Sequence, residues 1–85
     1  MLRQRFHQRA ASDCAEIEAA LQRRDYPRLL HLAHGLAGIG AIFGYADVSE
    51  RASALEHGVE GGLEYPTVAE LSAALIVALE RVGSL

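Results

Sequence analysis

The run Asp25-Tyr26-Pro27-Arg28-Leu29-Leu30-His31-Leu32-Ala33-His34-Gly35-Leu36-Ala37-Gly38-Ile39-Gly40-Ala41-Ile42-Phe43-Gly44 decides how this chain folds. Asp25 suits an N-cap and Pro27 a first helical turn, so a helix is expected from there toward Gly44. On a wheel of about 100° per residue, Leu29, Ala33, Leu36, Gly40 and Phe43 fall within about 60° of Leu36, with Leu32 and Ile39 flanking them. That stripe is the core side. His34 lies at about 160° and Gly38 at about 200°, beside His31, Ala41 and Tyr45, so these five point away from the core.

An ordinary solvated helix face carries Glu, Lys, Arg and Gln, whereas this one carries histidine, glycine, alanine and tyrosine. Packing alone does not explain it. A glycine one turn from a histidine costs about 0.5–1 kcal/mol against alanine and leaves room for another protein's backbone to approach the imidazole. The stretch from Leu29 to Ala46 also lacks Asp, Glu, Lys and Arg. At about 18 residues it reaches the lower limit of a membrane span. Two histidines and four glycines make it a poor one, and no aromatic belt flanks it on both sides, so no span is expected.

Working outward, Leu2, Phe6, Ala10, Cys14, Ile17 and Leu21 recur at steps of three or four with charged residues between them, giving a first amphipathic helix to about Arg23. After the central helix, a third is expected from Asp47 or Ser49, with Val48, Ala52, Leu55 and Val59 on one stripe and Gly58, Gly61 and Gly62 ending it. Thr67 with Glu70 reads as a capping box for a fourth, whose seam is Val68, Leu71, Leu75, Ala78 and Val82. No strand pattern occurs. Four helices with short connections pack most simply as an all-α, antiparallel up-down-up-down four-helix bundle.

The chain has 85 residues, 51% of them hydrophobic and two of them proline, which fits one packed domain over residues 1–85 and excludes a disordered tail. Net charge is −3 and all eight basic residues are arginine, so no lysine-rich patch argues for nucleic acid. The single cysteine, Cys14, forms no internal disulfide and sits on the first helix's apolar stripe, where a small buried hydrophobe is expected. With a charged start and no apolar leader, the cytoplasm is the expected location. The histidines have one close spacing, three residues, without cysteine or carboxylate partners on that face, so no metal site is expected. Gly38-Ile39-Gly40 with Gly44 has no preceding strand and the wrong spacing for a dinucleotide fingerprint. Glu56, Glu60 and Glu64 read as a solvated rim or, equally, as a surface that meets basic residues on a partner, and His7 and His57 as plain surface histidines.

His34-Gly35-Leu36-Ala37-Gly38-Ile39-Gly40 followed by Phe43-Gly44 resembles the signature of histidine-containing phosphotransfer (HPt) domains. The run from Asp25 to Ala33 resembles the family's approach to that motif, and Ala52 to Glu56 the alanine- and leucine-rich helix after it. The resemblance extends from about Phe6 to Val82. It implies a four-helix bundle whose exposed histidine, matched by His34, takes a phosphoryl group from one receiver-domain aspartate and passes it to another. It further implies response-regulator receivers and a sensor histidine kinase as partners, docking over His31, Ala37, Gly38, Ala41 and Tyr45. The chain would have no ATP-binding or catalytic domain and no cofactor of its own, the magnesium ion belonging to the receiver. One position departs from the pattern: the family's lysine three residues after the acceptor is Ala37 here, which removes a cation from beside the phosphoryl group. The alternative expectation is therefore an HPt-like module that docks a receiver or kinase and transfers phosphate weakly.

Overall fold

The computed structural model describes residues 2–83, with side chains from residue 8 onward. The expected core positions Leu2 and Phe6, and the side chain of His7, lie outside the described side chains. Among the described residues four helices make up the fold: α1 (Leu2–Gln22), α2 (Tyr26–Phe43), α3 (Ala46–Glu60) and α4 (Tyr65–Gly83). Among the described residues there is no strand.

Each helix touches its neighbours in sequence, and α1 closes the ring on α4. Arg28 on α2 meets Glu16 on α1, while Arg9, further back, shares a cleft with Gly35 and Ile39, further on. A hydrogen bond joins Cys14 to Ile76 across α1 and α4, and Ala10 lies against Gly83. This ring is compatible with the up-down-up-down order. Its interior is filled by Ile17, Leu29, Leu36, Val48, Leu55, Val68, Leu75 and Leu79, all essentially removed from water. Burying each such side chain contributes about 1.5–3 kcal/mol, which is what holds a chain of this size without a disulfide.

The caps of α2 explain its bounds. The Asp25 carboxylate accepts from the Arg28 N–H at 3.2 Å, and Pro27 occupies the first turn. At the other end Gly44 adopts φ +79°, a left-handed conformation that glycine adopts without a Cβ penalty. Only Gly44 and Tyr45 separate α2 from α3, so these two helices form a tight hairpin. Gly40 makes the hairpin close: a Cβ there would stand 2.9 Å from the Ser49 backbone nitrogen. The Ser49 hydroxyl donates to the Ala37 carbonyl at 2.9 Å across the same interface.

Three helix ends differ from the sequence expectation. α3 begins at Ala46, before Asp47, with Tyr45 at the N-cap position and no side-chain capping bond. Asp47 instead sits in the first turn, where its charge suits the helix dipole, and pairs with Arg51. Gly58 does not end α3. It is buried inside the helix, and a Cβ there would lie 2.7 Å from Leu71 Cδ1, so its smallness serves packing against α4. Thr67 does not cap α4 either: the N–H groups of Thr67 and Val68 bond to the Glu64 carbonyl, which places Thr67 inside a first turn that opens at Tyr65.

Candidate functional site

The outward face of α2 is built as its wheel requires. Leu29, Ala33, Leu36 and Gly40 are buried, while His31, His34, Gly38 and Ala41 are exposed. Two expected face residues sit differently. Tyr45, past the end of α2, is partly buried against the core, because the α2–α3 turn folds its ring inward. Ala37 is likewise half-buried at the α2–α3 boundary, and its carbonyl accepts from Ser49.

His34 is the most developed feature of this face. Its side chain is 78% exposed, yet Nδ1 stands 2.7 Å from Glu56 Oε2 on α3. An ionised carboxylate only accepts, so Nδ1 carries the proton and donates, leaving the Nε2 lone pair directed to solvent. Glu56 is therefore not part of a solvated rim. Its side chain is only 19% exposed, held between α3 and the imidazole it orients. A signal for it did exist in the sequence. His34 and Glu56 stand nearly equally far in chain from the Gly44–Tyr45 turn, and an antiparallel hairpin brings such positions level.

The approach to His34 is open on two sides. A Cβ built on Gly35 or on Gly38 would meet nothing within 4 Å. Beyond Gly38 a shallow groove of about 250 Å³ runs between the helix ends, lined by Gly40, Ala41, Gly44, Ala46, Ser49 and Glu50, and Ile42 beside it is 78% exposed. Neither Arg28 nor Arg51 reaches His34. The Arg51 guanidinium donates to the Ala74 carbonyl on α4 at 2.7 Å and pairs with Asp47 at 3.1 Å, while Arg28 faces Glu16 at 3.5 Å. Both hold helices together.

Other features of the chain lie apart from this face. A groove of about 520 Å³ runs between α1 and α4 around Cys14 and Leu79. Burial, followed by the nearby carboxylates Glu80, Glu18 and Asp13, pushes the Cys14 thiol above its ordinary range, so it stays protonated and inert, its Sγ–H donating to the Ile76 carbonyl. Among the described residues no three His, Cys, Asp or Glu side chains converge as a metal site would require, and no helix is long and apolar enough to cross a membrane.

Fold and site together define a class: a small helical bundle presenting one exposed histidine, oriented from behind by a carboxylate. The chain matches the Hpt domain family over residues 1–84 and belongs to it. Its role accordingly lies in histidine phosphotransfer in two-component signalling, where Hpt domains are small phosphotransfer modules that interact with receiver domains and kinases. Comparison with curated proteins and with solved structures gave no match.

Proposed function

We propose that this chain is a phosphorelay intermediate, an antiparallel up-down-up-down bundle that accepts a phosphoryl group on Nε2 of His34 from a receiver-domain aspartate and passes it to another receiver. The observation that carries this reading is the 2.7 Å contact between His34 Nδ1 and Glu56 Oε2. It selects one tautomer, and only that tautomer offers Nε2 as a nucleophile toward open solvent.

In the accepting step the Nε2 lone pair attacks phosphorus, the N–P bond forms, and the P–O bond of the aspartyl phosphate breaks with its electron pair returning to the receiver carboxylate. The imidazole becomes positively charged as this happens. Its Nδ1–H bond to the Glu56 carboxylate then strengthens, since both partners now carry opposite charges. The reverse step returns a neutral imidazole and needs no proton moved. Positioning and charge neutralisation do most of the work in phosphoryl transfer, and here the receiver brings magnesium and its acidic pocket while this chain contributes no cofactor. Gly38 and Ala41, with His31, Ala37 and the exposed edge of Tyr45, form the surface that meets the receiver or a sensor histidine kinase, in the cytoplasm.

The test is incubation with labelled phospho-receivers from the same genome. His34→Gln abolishes labelling with an unchanged helical circular dichroism spectrum. Glu56→Gln, which keeps an acceptor but removes the charge, lowers the rate by about tenfold. Label surviving in His34→Gln overturns the assignment. A wild-type chain that no receiver labels, while still binding one, favours the docking module whose lost lysine is Ala37.

A further inference from the structure

Two helical serines, Ser49 and Ser72, use their hydroxyls differently. In α4 the Ser72 Oγ donates to the Val68 carbonyl at 2.8 Å, four residues back along its own helix. That is the ordinary bond of a serine inside a helix. The matching local acceptor for Ser49 in α3 is the Tyr45 carbonyl, which takes the Ser49 N–H at 3.1 Å. The hydroxyl passes it over. It crosses to α2 and donates to the Ala37 carbonyl at 2.9 Å. Ala37 lies inside α2, where the helical ladder already provides that carbonyl with a donor four residues on. Neither helix needs this bond for its own backbone, so what it fixes is the position of one helix on the other.

The bond lies on the same seam as the contact at His34. Ser49 and Glu56 stand two turns apart on α3 and both reach α2, at Ala37 and at His34, which occupy neighbouring turns. Along the helix axes those separations are about 10.5 Å on α3 and about 4.5 Å on α2. Helical side chains lean toward the N-terminus of their own helix, so in this hairpin Glu56 leans toward the Gly44–Tyr45 turn and His34 leans away from it. The two meet, and the gap closes to 2.7 Å. A slide of α3 along α2 by about 1 Å takes that contact past hydrogen-bond length. The close approach at Gly40, where a Cβ would stand 2.9 Å from the Ser49 backbone nitrogen, resists compression of the seam. A directional hydrogen bond is what resists sliding.

We infer that Ser49 is a positioning residue of His34: anchored on the Ala37 carbonyl, it sets the register in which the Glu56 carboxylate reaches Nδ1. This inference rests on the phosphotransfer reading above. Ser49 bonds to the α2 backbone and not to the imidazole, and no bond to it forms or breaks during transfer. It acts through Glu56, which keeps the proton on Nδ1 and leaves the Nε2 lone pair free to attack phosphorus as the bond to the donor breaks.

The experiment compares Ser49→Ala with Ser72→Ala in the full chain, each variant losing one hydroxyl-to-carbonyl bond. Circular dichroism shows both folded, with thermal midpoints lowered by a few degrees. In the unphosphorylated, ¹⁵N-labelled chain at mildly alkaline pH, where an imidazole is neutral, wild type and Ser72→Ala show a protonated Nδ1 and a bare Nε2 at His34. In Ser49→Ala both nitrogen shifts move toward those of exchanging tautomers. The rate is read with potassium phosphoramidate, whose P–N bond breaks as Nε2 of His34 takes the phosphoryl group and ammonia leaves. Labelling slows about three- to fivefold in Ser49→Ala and keeps the wild-type rate in Ser72→Ala. In a Glu56→Gln background Ser49→Ala slows it no further, because the contact it serves is already gone. The inference is overturned if the His34 nitrogen shifts are unchanged in Ser49→Ala, if Ser72→Ala reproduces its effects, or if the losses at Ser49 and Glu56 multiply. A wild-type chain that phosphoramidate does not label overturns the phosphotransfer reading alone, since the nitrogen shifts decide the role of Ser49 without it.

Discussion

The two flanks of α2 are built on opposite terms. Against α3 the backbones close to the limit at Gly40, Ser49 bonds Ala37 and Glu56 fixes the His34 ring. Against α1 the same helix leaves a cleft, an empty space at Gly35, a long Arg9–Asp13 contact and an unanswered carboxylate oxygen. Tight packing suits a nucleophile that must be pre-oriented, since interfaces packed at interior density hold one arrangement. Loose packing suits groups that must rearrange when a charged phosphoryl group arrives. His34 sits on the line between the two.

Glycine substitutions break this comparison most directly. Gly40→Val should push the α2–α3 hairpin apart, because even the first added carbon meets the Ser49 backbone, and backbone cannot give as a side chain can. A loss of about 2–3 kcal/mol or more is expected, read as a fall in thermal midpoint of roughly 10 °C or greater. Gly35→Ala, on the open flank, should do the opposite. Its Cβ meets nothing and alanine is the better helix former, so a gain of about 0.5–1 kcal/mol is expected. Equal effects at the two positions would erase the contrast between the flanks.

A substitution at Gly38 sharpens the functional side. Gly38→Gln enters open space one turn beyond His34, so thermal stability should hold or rise by several tenths of a kcal/mol while transfer from a receiver slows. Labelling by the much smaller phosphoramidate should change little, which separates blocked docking from damaged chemistry. A folded variant with normal receiver transfer contradicts the docking face.

The smallest effect concerns Asp13 and is visible in the pH dependence of stability. Burial raises its carboxyl above the ordinary 3.8, with the Arg9 charge opposing that rise and Glu16 adding to it. The folded state therefore holds this proton more tightly than the unfolded chain does. Stability from this group is fully present below the ordinary value and is lost as pH rises through the folded-state value, after which the cost stays constant. Asp13→Asn removes that dependence. Relative to wild type, the variant should be more stable at neutral pH, and the advantage should disappear below about pH 3.8. Denaturant midpoints of the two proteins at pH 3 and pH 7 check it; an advantage that persists unchanged at pH 3 contradicts the assignment.

Much of this was legible in the chain itself. The core stripe of α2, its Asp25 cap, its end at Gly44 and the exposure of His34 follow from periodicity and turn chemistry, which are local properties. What was not legible depends on pairing between helices. Gly58 reads as a helix end in sequence because glycine ordinarily marks one, and only the Leu71 side chain on α4 reveals it as a packing site. Glu56 reads as solvated because charged residues usually are, and only the α2–α3 hairpin brings it to Nδ1 of His34. Tyr45 follows the α2 wheel outward in sequence, but the helix has already ended and the turn carries the ring inward. The family motif pointed to His34, whereas Glu56, which orients its ring, comes from α3.

If Glu56 fixes the His34 tautomer, the phosphoryl group is carried on Nε2. The most direct measurement is nuclear magnetic resonance of the phosphorylated, ¹⁵N-labelled chain, reading the ³¹P–¹⁵N coupling. One coupled nitrogen is expected, Nε2 of His34, with Nδ1 protonated and bonded to Glu56. Phosphorus coupled to Nδ1 of His34, or to a nitrogen of any other histidine, would contradict it.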